Sequence, residues 1–130
     1  MKTIKLNVNN PLISAVEVPD GDFLEQARKL IGCEWIETVY LRGLKAPYLM
    51  IVDEEGLLKA NLMNPIGSVL YGAHEHGHLI AGDVVIAKTV FDDYGECDLA
   101  WLTDEEVNDA FEAIRDVLKK FGVKYPDKLI

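Results

Sequence analysis

"GDVVIAKTVF" (residues 82–91), "DDYGE" (92–96), "CDLAWL" (97–102) and "TDEEVNDAFEAIRDVLKKFG" (103–122) follow one another directly. The change of period between them decides the fold class. The first stretch is a continuous apolar run of strand length, rich in β-branched Val84, Val85 and Ile86. A turn too short for a crossover helix leads into a second strand, so the two pair antiparallel. The period then switches from two to 3.6. Thr103 and Glu106 have the spacing of a capping box. Val107, Ala110, Phe111, Ile114, Val117, Leu118 and Phe121 recur as one apolar stripe, and Gly122 stops the helix. Strand, tight turn, strand and long helix read as α+β.

The same signals run upstream. "TIKLNVN" (residues 3–9) alternates Ile4, Leu6 and Val8 with polar neighbours, and "LISAVEV" (12–18) is its hairpin partner across "NNP". "FLEQARKLIG" puts Phe23, Leu24, Ala27, Leu30 and Ile31 on one helical face, with Asp22 as N-cap and Gly32 as stop. "EWIETVYLR" and "PYLMIVD", joined by "GLKA", read as an antiparallel pair, with Trp35 and Trp101 at core positions. "DEEG" (53–56) is a turn, after which "LLK" briefly extends the sheet. Asn64–Pro65 opens a short helix over 65–71 that ends near Gly72, because proline at the first helical position loses only an amide that would be unpaired anyway. The expectation is one α+β domain over residues 1–122. It has a mostly antiparallel sheet of about six strands, two main helices and one short helix, followed by a C-terminal tail, 123–130.

A chain of 130 residues, 49% of them hydrophobic, is long enough to bury a core without a metal or a disulfide. Cys33 and Cys97 match no paired spacing and read as small buried hydrophobes in a reducing compartment. The opening "MKTIKLNVNN" lacks the apolar run of a signal peptide, and the best apolar runs are strand length, so the expected location is the cytoplasm, away from membranes. The net charge is −9. No Lys or Arg falls between Lys88 and Arg115, while Asp92, Asp93, Glu96, Asp98, Asp104, Glu105, Glu106, Asp109 and Glu112 all do. Such a field repels phosphate, so direct DNA or RNA binding is not expected.

"YGAHEHGHLIAGD" (71–83) carries all three histidines of the chain. His74, Glu75 and His78 satisfy H-E-x-x-H, which on a helix gives two zinc ligands and a general base, and His74, His76 and His78 are the candidate metal ligands. Gly72 and Gly77 flank the motif and strand signal resumes soon after it, so a solvated loop is the better expectation. In an extended segment, neighbouring rings could share an ion, but the outer pair, about 13 Å apart, could not. No cofactor is implied. The acidic turn "DDYGECD" lacks calcium-loop spacing.

"DEEG" after a strand, "NP" opening a helix that ends in "LYG", then "IAGDVVI", an acidic hairpin, "LTDEEV" and a terminal helix resemble a small family. It is found in phages, plasmids and other mobile elements and is catalogued as Domain of Unknown Function 3846. The resemblance covers most of the chain. It brings no catalytic residues, implies a mobile-element origin and a cytoplasmic accessory role, and marks the histidine segment as an addition to a loop usually kept shorter. The expected function is therefore a non-enzymatic domain that binds another protein, and self-association into a homo-oligomer is compatible with it. A small metal-dependent hydrolase using the HEHGH segment is the alternative. A third reading is an acidic decoy of a DNA-binding host protein, which a continuous acidic stripe would favour over scattered charge.

Overall fold

The computed structural model describes residues 1–41, 44, 47–59 and 61–123. The "GLKA" connection, apart from Leu44, and the tail "VKYPDKLI", apart from Val123, lie outside the described residues. In chain order the elements are β1 (Lys2–Leu6), β2 (Ile13–Glu17), α1 (Phe23–Ile31), β3 (Ile36–Tyr40), β4 (Tyr48–Asp53), α2 (Pro65–Tyr71), α3 (Ala73–His76), β5 (Val84–Phe91), β6 (Cys97–Ala100) and α4 (Asp104–Lys120). All strands join one antiparallel sheet in the order β2-β1-β5-β4-β3, with β6 also on β5.

The central strand is β5, as its unbroken apolar run requires. Val85 pairs with Lys5 of β1 on one flank and with Ile51 of β4 on the other, and Lys88 pairs with Tyr48 of β4 and Ala100 of β6. Strand β6 therefore takes over the β1 flank of β5 beyond the point where β1 leaves it. Side-chain alternation then divides the interior into two layers. Ile4 and Leu6 of β1, Met50 and Val52 of β4, and Val84 and Ile86 of β5 face α2 and α4 in the larger core. Leu49, Ile51, Val85 and Ala87 face the other way and pack with Ala27 of α1 and with Trp101. Trp101 stacks on Phe23 with centroids 4.4 Å apart and donates its indole N–H to Gln26 Oε1 at 2.8 Å.

The helix boundaries follow from their caps. Asp22 accepts from the Glu25 amide, Asn64 from the Gly67 amide and Thr103 from the Glu106 amide; the Thr103 amide in turn donates to Glu106 Oε1 and completes the capping box. The differences from the sequence reading are local. "LLK" lies in the turn after β4 and adds nothing to the sheet. There is a fourth helix, the single turn α3, inside the segment expected to be a loop. Helix α4 ends on Phe121, which is half exposed and not part of the buried stripe, and Leu24 of α1 faces solvent. Trp35 is 57% exposed, because it precedes an edge strand. Neither cysteine is buried: Cys33 is partly covered and Cys97 exposed.

Candidate functional site

Three features bear on function, beginning with the histidine segment. Gly72 and Gly77 both take left-handed backbone, φ +92° and +77°, which ends α2 and then α3 after one turn. His74 and Glu75 lie on α3, whereas His78 lies beyond Gly77 in non-helical chain. The helical register that H-E-x-x-H chemistry requires is not formed. The three rings are all exposed; His76 and His78 adjoin each other, and His74 has other neighbours. His74 lies against Phe121 of the α4 terminus, centroids 4.4 Å apart, with Nε2 3.7 Å from Glu75 Oε1. His76 stands edge-on to Tyr71 and 5.2 Å from the His78 ring.

Hydrogen bonding distinguishes the two ring nitrogens of His76. The His78 amide donates to His76 Nδ1 at 3.0 Å, so the other ring nitrogen carries the proton and donates it to the Tyr71 carbonyl, also at 3.0 Å. Tyr71 is the last residue of α2, and His76 thereby satisfies one of that helix's orphan carbonyls. Its one lone pair is already used, so metal binding at His76 would cost the bond to His78. Among the described residues, no three His, Cys, Asp or Glu side chains are grouped to hold a metal ion. His76→Ala is expected to cost about 1 kcal/mol, the worth of a pair of exposed hydrogen bonds. His74→Ala and His78→Ala should stay within about 0.5 kcal/mol. Urea denaturation of the three single variants separates these values.

A second feature, unmarked in the sequence, is a polar cleft of about 260 Å³ where the end of β4 meets the approach to β5, near the C-terminus of α1. The buried Asp53 accepts from the Glu55 amide (2.9 Å) and Asn61 Nδ2 (3.3 Å) and pairs with Lys59 Nζ at 2.5 Å. Asp83 accepts from the Val8 amide (2.9 Å) and faces Lys5 Nζ at 3.5 Å. The hydrogen bond to Asp53 holds the Lys59 ammonium above its ordinary pKa. Burial, and then the Asp53 carboxylate, push the Cys33 thiol up, away from a reactive thiolate. Both carboxylates are spent on closing the 54–61 turn and tying β1 to the entry of β5. The sequence signal was an acid ending an apolar strand with a lysine six residues on, which read only as turn chemistry.

The third feature is the acidic end of the molecule, built from the β5–β6 hairpin and α4. At the hairpin tip, Asp92 Oδ1 accepts from the Tyr94 and Glu96 amides, which closes a tight turn and leaves the side chains pointing outward. Phe91 is 70% and Tyr94 93% exposed, among exposed Asp92, Asp93, Glu96 and Asp98. On α4, the exposed Glu105, Asp109, Glu112 and Asp116 fall at i, i+4, i+7 and i+11 and share one face.

Two acids of α4 are bonded to side chains of the sheet. Lys88 Nζ meets Glu106 at 2.6 Å, and that bond together with the cap holds the Glu106 carboxyl below its ordinary range. Tyr48 donates to Asp109 Oδ2 at 3.0 Å, and burial, reinforced by this bond and the nearby acids, pushes the phenol up to about 12. A phenol raised in the folded state contributes stability that is complete below its ordinary pKa and is lost as pH rises through about 12. An absorbance titration should show one tyrosine ionising near pH 12. Tyr48→Phe should abolish that step and flatten the alkaline loss of stability.

Fold and surfaces together define a small antiparallel α+β domain with an acidic, aromatic-tipped end. The chain belongs to the family described as Domain of unknown function (DUF3846), whose match extends over residues 1–115. It therefore takes in every strand and most of α4. No curated protein and no solved structure matches the chain. No helix among the described residues is long and apolar enough to cross a membrane.

Proposed function

We propose that this protein is a non-enzymatic accessory factor of phage or mobile-element type that works in the cytoplasm by binding another protein, and that the partner is basic. One observation carries this reading: Phe91 and Tyr94 project from a tight hairpin among carboxylates that form no ion pair with a described residue. Exposed aromatic rings cost apolar hydration and are enriched where proteins dock. Rings flanked by acids suit Lys and Arg, through cation–π contact and charge together. The test is affinity capture from host lysate with wild type and with the double variant Phe91→Ser/Tyr94→Ser. The variant should keep its stability to within about 0.5 kcal/mol and lose a partner that high salt also removes. A partner retained equally by both proteins would overturn the reading.

The decoy reading gains support from the α4 face. Its four carboxylates are spaced about 4.5 to 6 Å apart along the axis at 1.5 Å rise per residue, a continuous stripe and not scattered charge. A decoy competes with nucleic acid for the same cationic surface, so duplex DNA should release the captured partner. A partner indifferent to DNA leaves plain protein binding as the function.

A further inference from the structure

Strand β3 closes one side of the sheet. The Glu54 amide donates to the Trp35 carbonyl at 3.0 Å, and Glu37 and Val39 pair with Val52 and Met50 in the same register. Antiparallel ladders alternate, so residues 35, 37 and 39 bond inward, while the N–H and C=O groups of Ile36, Thr38 and Tyr40 point away from β4. Among the described residues no strand pairs with that row. Exposed edges are ordinarily blunted by lysine, proline or a bulge. The sequence Ile-Glu-Thr-Val-Tyr has no lysine or proline, its ladder to β4 runs in unbroken register, and its one charge is Glu37.

The edge also borders a groove. On the α4 side of the sheet, Glu37 and Val39 form one wall and Tyr71, His78 and Leu79 the other, around a cavity of about 270 Å³. It continues past His76 towards Thr38 and Tyr40. Leu57 and Leu79 line it yet remain exposed, and Tyr40 at the strand end is 79% exposed. Glu37 and Glu54 also line it, neither has an ion-pair partner among the described residues, and no described Lys or Arg does. The histidine segment thus forms the rim of an open strand edge.

We propose that β3 takes up an extended, cationic peptide segment of another protein as an added strand. The backbone of the segment bonds to residues 36, 38 and 40. Alternate side chains turn into the groove, an apolar one beside Val39 and Tyr71 and a lysine or arginine beside Glu37 and Glu54. A second copy of the chain fits less well, because each molecule carries a net charge of −9 and would bring its own Glu37 to an edge already acidic. This surface is separate from the β5–β6 hairpin.

Fluorescence anisotropy of labelled Thr-Lys-Thr-Val-Thr-Lys on the full chain, a peptide that places its Lys and Val on one face of the strand, tests the proposal. Saturable binding is expected, lost when glutamate replaces lysine in the peptide or when alternate backbone amides are N-methylated. Thr38→Pro should weaken it by about tenfold or more, a change of about 1.4 kcal/mol. The Thr38 amide faces outward, so proline there removes no ladder bond. Glu37→Lys should weaken it likewise, and Phe91→Ser/Tyr94→Ser should leave it unchanged, which separates this proposal from the hairpin reading. If Thr38→Pro fails to fold, the N-methylated peptide on wild type decides the question alone. Binding that survives N-methylation, no binding at all, or a wild-type dimer that Thr38→Pro dissociates would each overturn the proposal.

Discussion

Phe111→Ala is expected to lose about 3 to 5 kcal/mol of folding stability, measured as a fall in urea midpoint at unchanged slope. Phe111 is buried on the face of α4 that also buries Val107, Ala110, Ile114 and Leu118 against β1, β4 and β5. The adjacent capping box fixes where that face begins, so the ring has no alternative register in which to escape. Glu112→Ala, one residue on and facing solvent, should stay within about 0.5 kcal/mol. Thr103→Ala should cost about 1 kcal/mol through the lost cap. A Phe111 variant that lost less than about 1 kcal/mol would mean that α4 is not docked on the sheet.

The graded costs along α4 correspond to what the sequence made legible. Periodicity and caps are local properties, and wherever they governed an element it could be read off: β1, β2, β4, β5, α2 and α4 all lie where their patterns put them. The misreadings share one cause, which is long-range context. Trp35 has the composition of a core residue, but its exposure depends on β3 being an edge, and strand order is set by pairings such as Tyr48 with Lys88, far apart in the chain. "LLK" has strand propensity, yet Asp53 and Lys59 close that stretch into a turn. The histidine segment was legible as far as its glycine breaks. That His76 would turn back to cap α2 was not, because the bond depends on the chain reversing at Gly72. Of the surfaces, the acidic run was visible as composition. Its division into a hairpin tip and a helical stripe, and the groove beside β3, appear only once the chain is folded.

Asn64 is the most instructive residue of this kind. The sequence marked it as the residue before a helix-opening proline, and it is indeed the N-cap of α2. It is also fully buried. Its Oδ1 accepts from the Gly67 amide at 2.8 Å, and its Nδ2 donates to the carbonyls of Leu6 (2.9 Å) and Gly82 (3.0 Å). One side chain therefore starts α2 and fastens the end of β1 to the turn that feeds β5. Asn64→Ala removes the side-chain partner of one amide and two carbonyls, and a buried group without a partner costs about 1 to 3 kcal/mol. The expected loss is about 3 to 5 kcal/mol, well above the roughly 1 kcal/mol of an exposed cap. Asn64→Asp separates the two roles, since a carboxylate keeps the cap but turns an oxygen towards both carbonyls. That carboxyl should hold its proton more tightly in the folded state than in the unfolded one, through burial and the facing oxygens. A group with its folded pKa raised is stabilising below its unfolded value and loses that contribution as pH rises through the folded value. The Asp variant should therefore be closest to wild type in mild acid and fall away towards neutrality, whereas the Ala variant should show no such dependence. Equal costs for Asn64→Ala and Thr103→Ala, with no pH dependence in Asn64→Asp, would show that Asn64 acts as a cap alone.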